Sequence, residues 1–98
     1  MNYRPLPKSL TIKRSKVEGL GLFSTRPIPK HEVLGVSHIK NDAFENGLIR
    51  TPLGGFINHS EYPNCKLKKF PEGYVLQTEY EIITGEELTV KYQWYDPT

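Results

Sequence analysis

One cysteine, Cys65, stands in 98 residues, so no disulfide can form within the chain and no set of paired thiolate metal ligands is present. Long apolar runs are missing as well, and none approaches the roughly 20 residues a membrane-crossing helix needs. The opening segment, Met1 to Lys8, lacks the apolar centre of a secretory signal. These absences lead us to expect an intracellular, reduced setting, with cytoplasm and nucleus equally compatible. The sequence also has no sustained helical periodicity, internal repeat, low-complexity tract or interdomain linker. The net charge is only +2, too mild for a strong steering field. Basic residues gather between Arg4 and Lys30 and again at Lys66, Lys68 and Lys69. They suit weak attraction to an acidic partner. Because stacking aromatics are not interleaved with these lysines, a solvated strand face is expected in place of a nucleic-acid interface.

What is present are short alternating segments between strong turn signals. Ser9 to Lys16 alternates apolar and polar residues, as a half-exposed strand does. Gly19-Leu20-Gly21 precedes a second strand, Leu22 to Thr25, and Pro27, Pro29 and Lys30 then form a turn. Glu32 to Ile39 reads as a third strand, and Lys40 to Gly47 as a polar loop with room for one helical turn. Leu67 to Phe70, Tyr74 to Tyr80 and Leu88 to Tyr92 complete the strands, separated by Pro71-Glu72-Gly73 and Thr84-Gly85-Glu86. A chain of this length supports one core, so we expect a mainly β single domain over residues 1–98.

Two segments carry candidate chemistry. Residues 56–65 read Phe-Ile-Asn-His-Ser-Glu-Tyr-Pro-Asn-Cys, an ordered run of turn formers whose side chains can tie down backbone. The strand Leu88-Thr89-Val90-Lys91-Tyr92 puts Leu88, Val90 and Tyr92 on one face. Its phenol is either an ordinary buried tyrosine bonded to a carbonyl or a group available to a ligand. Gly19-Leu20-Gly21 fails as a dinucleotide fingerprint, because no third glycine opens a helix. It is either a plain hairpin turn or a place where a ligand lies against main chain.

Other chemistries are weaker. His59 and Ser60 are adjacent and cannot form a base–nucleophile pair. Cys65 with His31, His38 and His59 lacks zinc-site spacing, so Cys65 is expected to pack in the core. Glu86 and Glu87 are expected to be solvated turn carboxylates.

Taken together, Gly-Leu-Gly-Leu-Phe, Phe-Ile-Asn-His-Ser-x-x-Pro-Asn and Gly-Glu-Glu-Leu-Thr-Val-x-Tyr resemble the SET domain over about residues 9–95. That family consists of protein methyltransferases dependent on S-adenosyl-L-methionine, most of which modify lysine. The resemblance implies a β-clip fold of several small sheets with a knot-like C-terminal crossing. It implies a protein-lysine N-methyltransferase whose cofactor is held by Glu18, Gly19, Leu20, Gly21, Asn58, His59 and Trp94. Tyr92 matches the catalytic tyrosine, and Val90, Tyr92, Trp94 and Tyr95 match the substrate channel. The implied substrate is a lysine in a histone tail or another basic protein. No metal is implied.

Lys91 and the short Ser37 to Gly54 stretch favour an alternative, a SET-like module that binds cofactor or protein with little or no turnover. Lys91 stands where an acidic or small residue is common, and Gly55 where arginine is frequent. The short Ser37 to Gly54 stretch, where larger members insert a subdomain, leaves a channel wall incomplete. Either a second subunit, as a homodimer, or ordering of the Trp94 to Thr98 tail on substrate binding would complete it, and a fully active monomer in light scattering would refute the dimer.

Overall fold

The computed structural model describes residues 6–16, 19–41 and 47–92. In chain order the elements are β1 (Leu10–Arg14), β2 (Leu20–Ser24), β3 (Val33–Lys40), β4 (Leu48–Arg50), α1 (Pro52–Phe56), β5 (Asn58–His59), β6 (Cys65–Phe70), β7 (Gly73–Thr78) and β8 (Glu87–Val90). The mainly β expectation holds, and the strands fall into two four-stranded sheets.

The first sheet has the order β1-β2-β8-β5. The β1–β2 hairpin runs antiparallel, with Leu10 opposite Ser24 and Arg14 opposite Leu20. Gly19 enters β2 with φ 46°, a left-handed conformation that glycine adopts at little cost. Its carbonyl accepts the Ser15 N–H at 2.7 Å. β2 pairs antiparallel with β8, Leu22 opposite Leu88. The tiny β5 then lies parallel to β8, with Asn58 beside Thr89 and His59 beside Val90. A strand late in the chain is thereby inserted between an early one and one from the middle.

The second sheet, β4-β3-β7-β6, is antiparallel throughout. Both sheets contribute to one core, in which Leu22, Ile28, Leu76, Ile82, Leu88 and Val90 have no exposed surface. β8 is covered on both faces, because Thr89 is buried as well as Leu88 and Val90. Simple alternation puts Thr89 on the face opposite Leu88 and Val90. In a central strand packed on two sides, that face is buried too.

Three elements between Gly47 and His59 escaped the sequence reading. β4, α1 and β5 span three, five and two residues, too few to show a period. Of the polar loop Lys40 to Gly47, positions 42–46 lie outside the described residues, whereas a helical turn occurs further on, at α1. The local signal for it is Thr51-Pro52. Thr51 is the N-cap, its hydroxyl accepting from Gly54 N–H, and Pro52 opens the helix, where a missing N–H is harmless. The Thr51 hydroxyl also donates to Val36 O at 2.6 Å, pinning the turn to β3. α1 buries Leu53, and Ile57 leaves it in an extended conformation and is itself buried. That exit delivers Asn58 into β5, beside β8.

Candidate functional site

The three motifs converge on the carboxylate of Glu87, a half-buried residue at the start of β8. Ser15 Oγ, at the end of the first hairpin strand, donates to both of its oxygens at 2.8 and 2.9 Å. Asn58 Nδ2 donates to Glu87 Oε2 at 2.9 Å and to Leu20 O at 3.2 Å. Gly21 is buried beneath this cluster. A Cβ added there would collide with Glu87 Oε2 and lie 3.1 Å from Asn58 Nδ2. The second glycine of Gly19-Leu20-Gly21 is thus required by the close approach of the chain's own side chains. At Gly19, by contrast, nothing lies within 4 Å of where a Cβ would stand.

This overturns the expectation that Glu86 and Glu87 are solvated turn carboxylates. Both are half-buried and engaged. Glu86 Oε2 accepts from Asn64 Nδ2 at 2.9 Å, and its Oε1 accepts from Ile83 N–H at 3.0 Å. The turn composition was read correctly, but tertiary contacts give its acids partners.

Tyr92 follows β8, packs against the core and has its phenol bonded to the middle motif. Its hydroxyl donates to Ile57 O at 2.8 Å, and its backbone N–H donates to His59 Nδ1 at 3.1 Å. The two rings lie nearly parallel, 18° apart in plane with centroids 6.2 Å apart. The carbonyl bond foreseen for an ordinary buried tyrosine is therefore present. Its hydrogen being committed to Ile57, the phenol meets any further partner through oxygen lone pairs.

On the outer side of His59, Nε2 donates to Glu61 Oε2 at 2.8 Å, and Lys91 Nζ lies 3.3 Å from Glu61 Oε1. Hydrogen bonds from His59 and then from Lys91 hold the Glu61 carboxyl below its usual range. Asn64 binds β8 on another side. Its Nδ2 donates to Glu87 O at 2.8 Å, and its Oδ1 accepts from Thr89 N–H at 2.9 Å.

Of the residues singled out by sequence, Gly19, Leu20, Gly21, Asn58, His59 and Tyr92 lie together around β8. Val90 is fully buried in the core. Glu18, Trp94 and Tyr95 lie outside the described residues. Cys65 is buried, and burial, followed by the charges of Glu86 and Glu79, pushes its thiol up to about 12. It is a packing residue, as expected, with no thiolate character near neutral pH. Lys66, Lys68 and Lys69 are exposed along β6, the solvated face expected of them.

Sequence reasoning missed Ser15, Glu61, Asn64 and Glu87. Asn64 was visible as the second asparagine of the middle motif, and Glu87 as an acid at the mouth of the tyrosine strand. Nothing in the sequence marked Ser15, which acts only because distant segments meet, or Glu61, which lies two residues from His59 and meets distant Lys91 as well.

A family profile for the SET domain matches residues 36–93, more than half of the chain. No curated relative matches the sequence. Among solved structures, a Plasmodium falciparum protein provisionally described as a histone methyltransferase superposes with a TM-score of 0.70 at 23% identity, over 93% of this chain and 100% of that one. The methyltransferase domain of human PR domain-containing protein 2 gives 0.70 at 20% identity, over 95% of this chain and 82% of that one. At such identities the structural likeness speaks for the fold, while the profile spans the Asn58 loop and Tyr92 alike. With β8 threaded between β2 and β5, and the tyrosine after it tied to the Asn-His loop, this chain belongs to the SET domain family.

Proposed function

We propose that this protein transfers a methyl group from S-adenosyl-L-methionine to a lysine amine of a protein substrate, as a single domain in an intracellular setting. The observation that carries the reading is the bond from the Tyr92 hydroxyl to Ile57 O. It fixes a phenol from the end of the chain beside Asn58, inside the motif the family uses for its cofactor.

The residues present suit a cationic ligand. Glu87 is a half-buried carboxylate whose hydrogen bonds come from the neutral groups of Ser15 and Asn58. Among the described residues it makes no ion pair. Beside it are the Leu20 carbonyl and the open backbone of Gly19. An ammonium is favoured at such a site by charge and by hydrogen bonding, and a sulfonium, which has no hydrogen to donate, by charge. Gly19, Leu20, Asn58 and His59 would hold the cofactor, with Gly21 admitting the close packing beneath. When bound, the cofactor supplies an electrophilic methyl group on a positive sulfur.

The lysine must arrive neutral. With an ordinary pKa of about 10.4, losing its proton at pH 7 takes roughly 4.6 kcal/mol. Loss of water in an apolar channel and repulsion by a nearby cation both lower that figure. Tyr92 acts as an acceptor that orients the amine, since its own hydrogen points to Ile57. Alignment of two reactants can contribute roughly 7–11 kcal/mol, which removes the need for a strong base. Lys91 has its ammonium beside Glu61, so its charge is partly neutralised outside the site.

The test is Tyr92→Phe in a labelled-methyl assay on histones and cell lysate, with calorimetry for the cofactor. Transfer is expected to fall by about 100-fold or more, with cofactor affinity little changed. Cofactor binding without transfer by the unaltered protein would favour a non-catalytic binding module. Equal turnover by the variant would remove Tyr92 from the mechanism.

A further inference from the structure

We propose that Glu61 is a positioning residue for Tyr92, acting through His59. Its carboxylate selects the imidazole tautomer whose Nδ1 accepts the Tyr92 backbone N–H. The catalytic meaning of this rests on the role given to Tyr92 above, whereas its structural content stands on geometry alone.

The parallel ladder between β5 and β8 is only two residues long. After it, Ser60 N–H donates to Val90 O at 2.9 Å. The Tyr92 amide further on donates to a side chain, His59 Nδ1, at 3.1 Å. The imidazole therefore extends a ladder for which the main chain has too few residues. A ring nitrogen that accepts a hydrogen bond carries no proton, so the proton of neutral His59 belongs on Nε2. That nitrogen faces Glu61 Oε2 at 2.8 Å, the acceptor such a tautomer requires.

Glu61 is in turn held by Lys91 Nζ, 3.3 Å from its other oxygen. Both ends of the relay are thus local to the tyrosine, since Lys91 immediately precedes Tyr92. His59 and Glu61 are largely exposed, with 44% and 64% of their side-chain surface open. Neither is needed to fill the core, and a solvent-exposed hydrogen bond between two such side chains contributes little to stability. What this pair does is orient a ring, and through it the backbone from which the phenol projects. A ring so oriented stacks on Tyr92 within 18° of parallel. Without the carboxylate the second tautomer becomes accessible, and in it Nδ1–H would face the Tyr92 N–H, donor against donor.

The test uses the whole chain and two variants, Glu61→Ala and Glu61→Gln, the latter keeping an oxygen able to accept from Nε2–H. In nitrogen-15 spectra recorded near pH 8.5, where an ordinary histidine is neutral, the unaltered protein is expected to show His59 protonated on Nε2. Glu61→Ala should shift those resonances toward a mixture of tautomers. It should also speed hydrogen exchange of the Tyr92 amide about fivefold, relative to the amides of Leu88 and Val90. Glu61→Gln should recover most of both. In methyl transfer, Glu61→Ala should lower kcat about fivefold, and Glu61→Gln should again recover most of it. Unchanged tautomer and unchanged Tyr92 exchange in Glu61→Ala would overturn the proposal, as would Glu61→Gln behaving like Glu61→Ala in both. If the unaltered protein transfers no methyl group, the functional reading fails, and the spectra and exchange still decide the relay.

Discussion

Glu87 gathers Ser15, Asn58 and the space over Gly21 into one cluster, and that cluster makes a sharp claim about a single atom. A methyl group at position 21 collides with Glu87 Oε2. The carboxylate is the end of a side chain and can move, but moving breaks its bonds to Ser15 Oγ and Asn58 Nδ2. Hydrogen bonds to a charged group contribute about 1.5–3 kcal/mol, so Gly21→Ala is expected to lower unfolding stability by about 2 kcal/mol in urea titration. A change below about 0.5 kcal/mol would mean that the carboxylate relocates freely and that the cluster is not rigid. The identity of the glycine was plain in the sequence. Its reason was not, because the atom that forbids a side chain comes from a residue 66 positions later.

At the scale of elements, β8 is held by more than its ladders. The segment from Asn58 to Asn64 runs beside it, first as main chain in β5 and then through side chains. Asn64 takes Thr89 N–H and gives to Glu87 O, so one amide replaces a strand that is not there. Asn64→Ala would leave the Thr89 amide without its acceptor in a buried position. An unsatisfied buried donor costs about 1–3 kcal/mol, and denaturant unfolding should show a loss in that range. A smaller loss would mean that water reaches β8 from that side. β6 lies at the sheet edge and carries Lys66, Lys68 and Lys69 toward solvent, which discourages pairing with another strand. The long strands were legible because each had enough residues to show alternation. β4, α1 and β5 were not, although Thr51-Pro52 announced the helical turn to a reader of caps.

For the whole molecule, a buried histidine in the second sheet sets a pH dependence. His38 on β3 is buried, its ring edge-on to Tyr74 and its Nδ1 2.9 Å from Ser37 Oγ. Burial, and after it the charge of Arg50 opposite on β4, lowers its pKa below the ordinary 6.5. The unfolded chain, with the ordinary value, therefore takes up a proton at a pH where the folded one refuses it. Stability from this group is complete above about pH 6.5 and is lost as pH falls toward the folded value, with a slope no steeper than about 1.4 kcal/mol per pH unit. Thermal unfolding between pH 7.5 and 5 should show that decline, and His38→Gln should flatten it. An equal decline in the variant would assign the effect to other groups.

The resemblance of the chain's motifs to the SET domain implied that Asn58, His59 and Tyr92 share one site, while composition and local pattern by themselves determined the β class, the longer strands and the packing role of Cys65. Those features are set by residues near one another in the chain, where alternation, turn chemistry and motif order are written directly. Only the tertiary structure decided that Glu87 is a hub, that Asn64 clamps β8 and that the Tyr92 hydroxyl donates its hydrogen bond to Ile57 O. Each of these is a contact between segments far apart in sequence, and the insertion of β8 between β2 and β5 is what brings them within hydrogen-bonding distance.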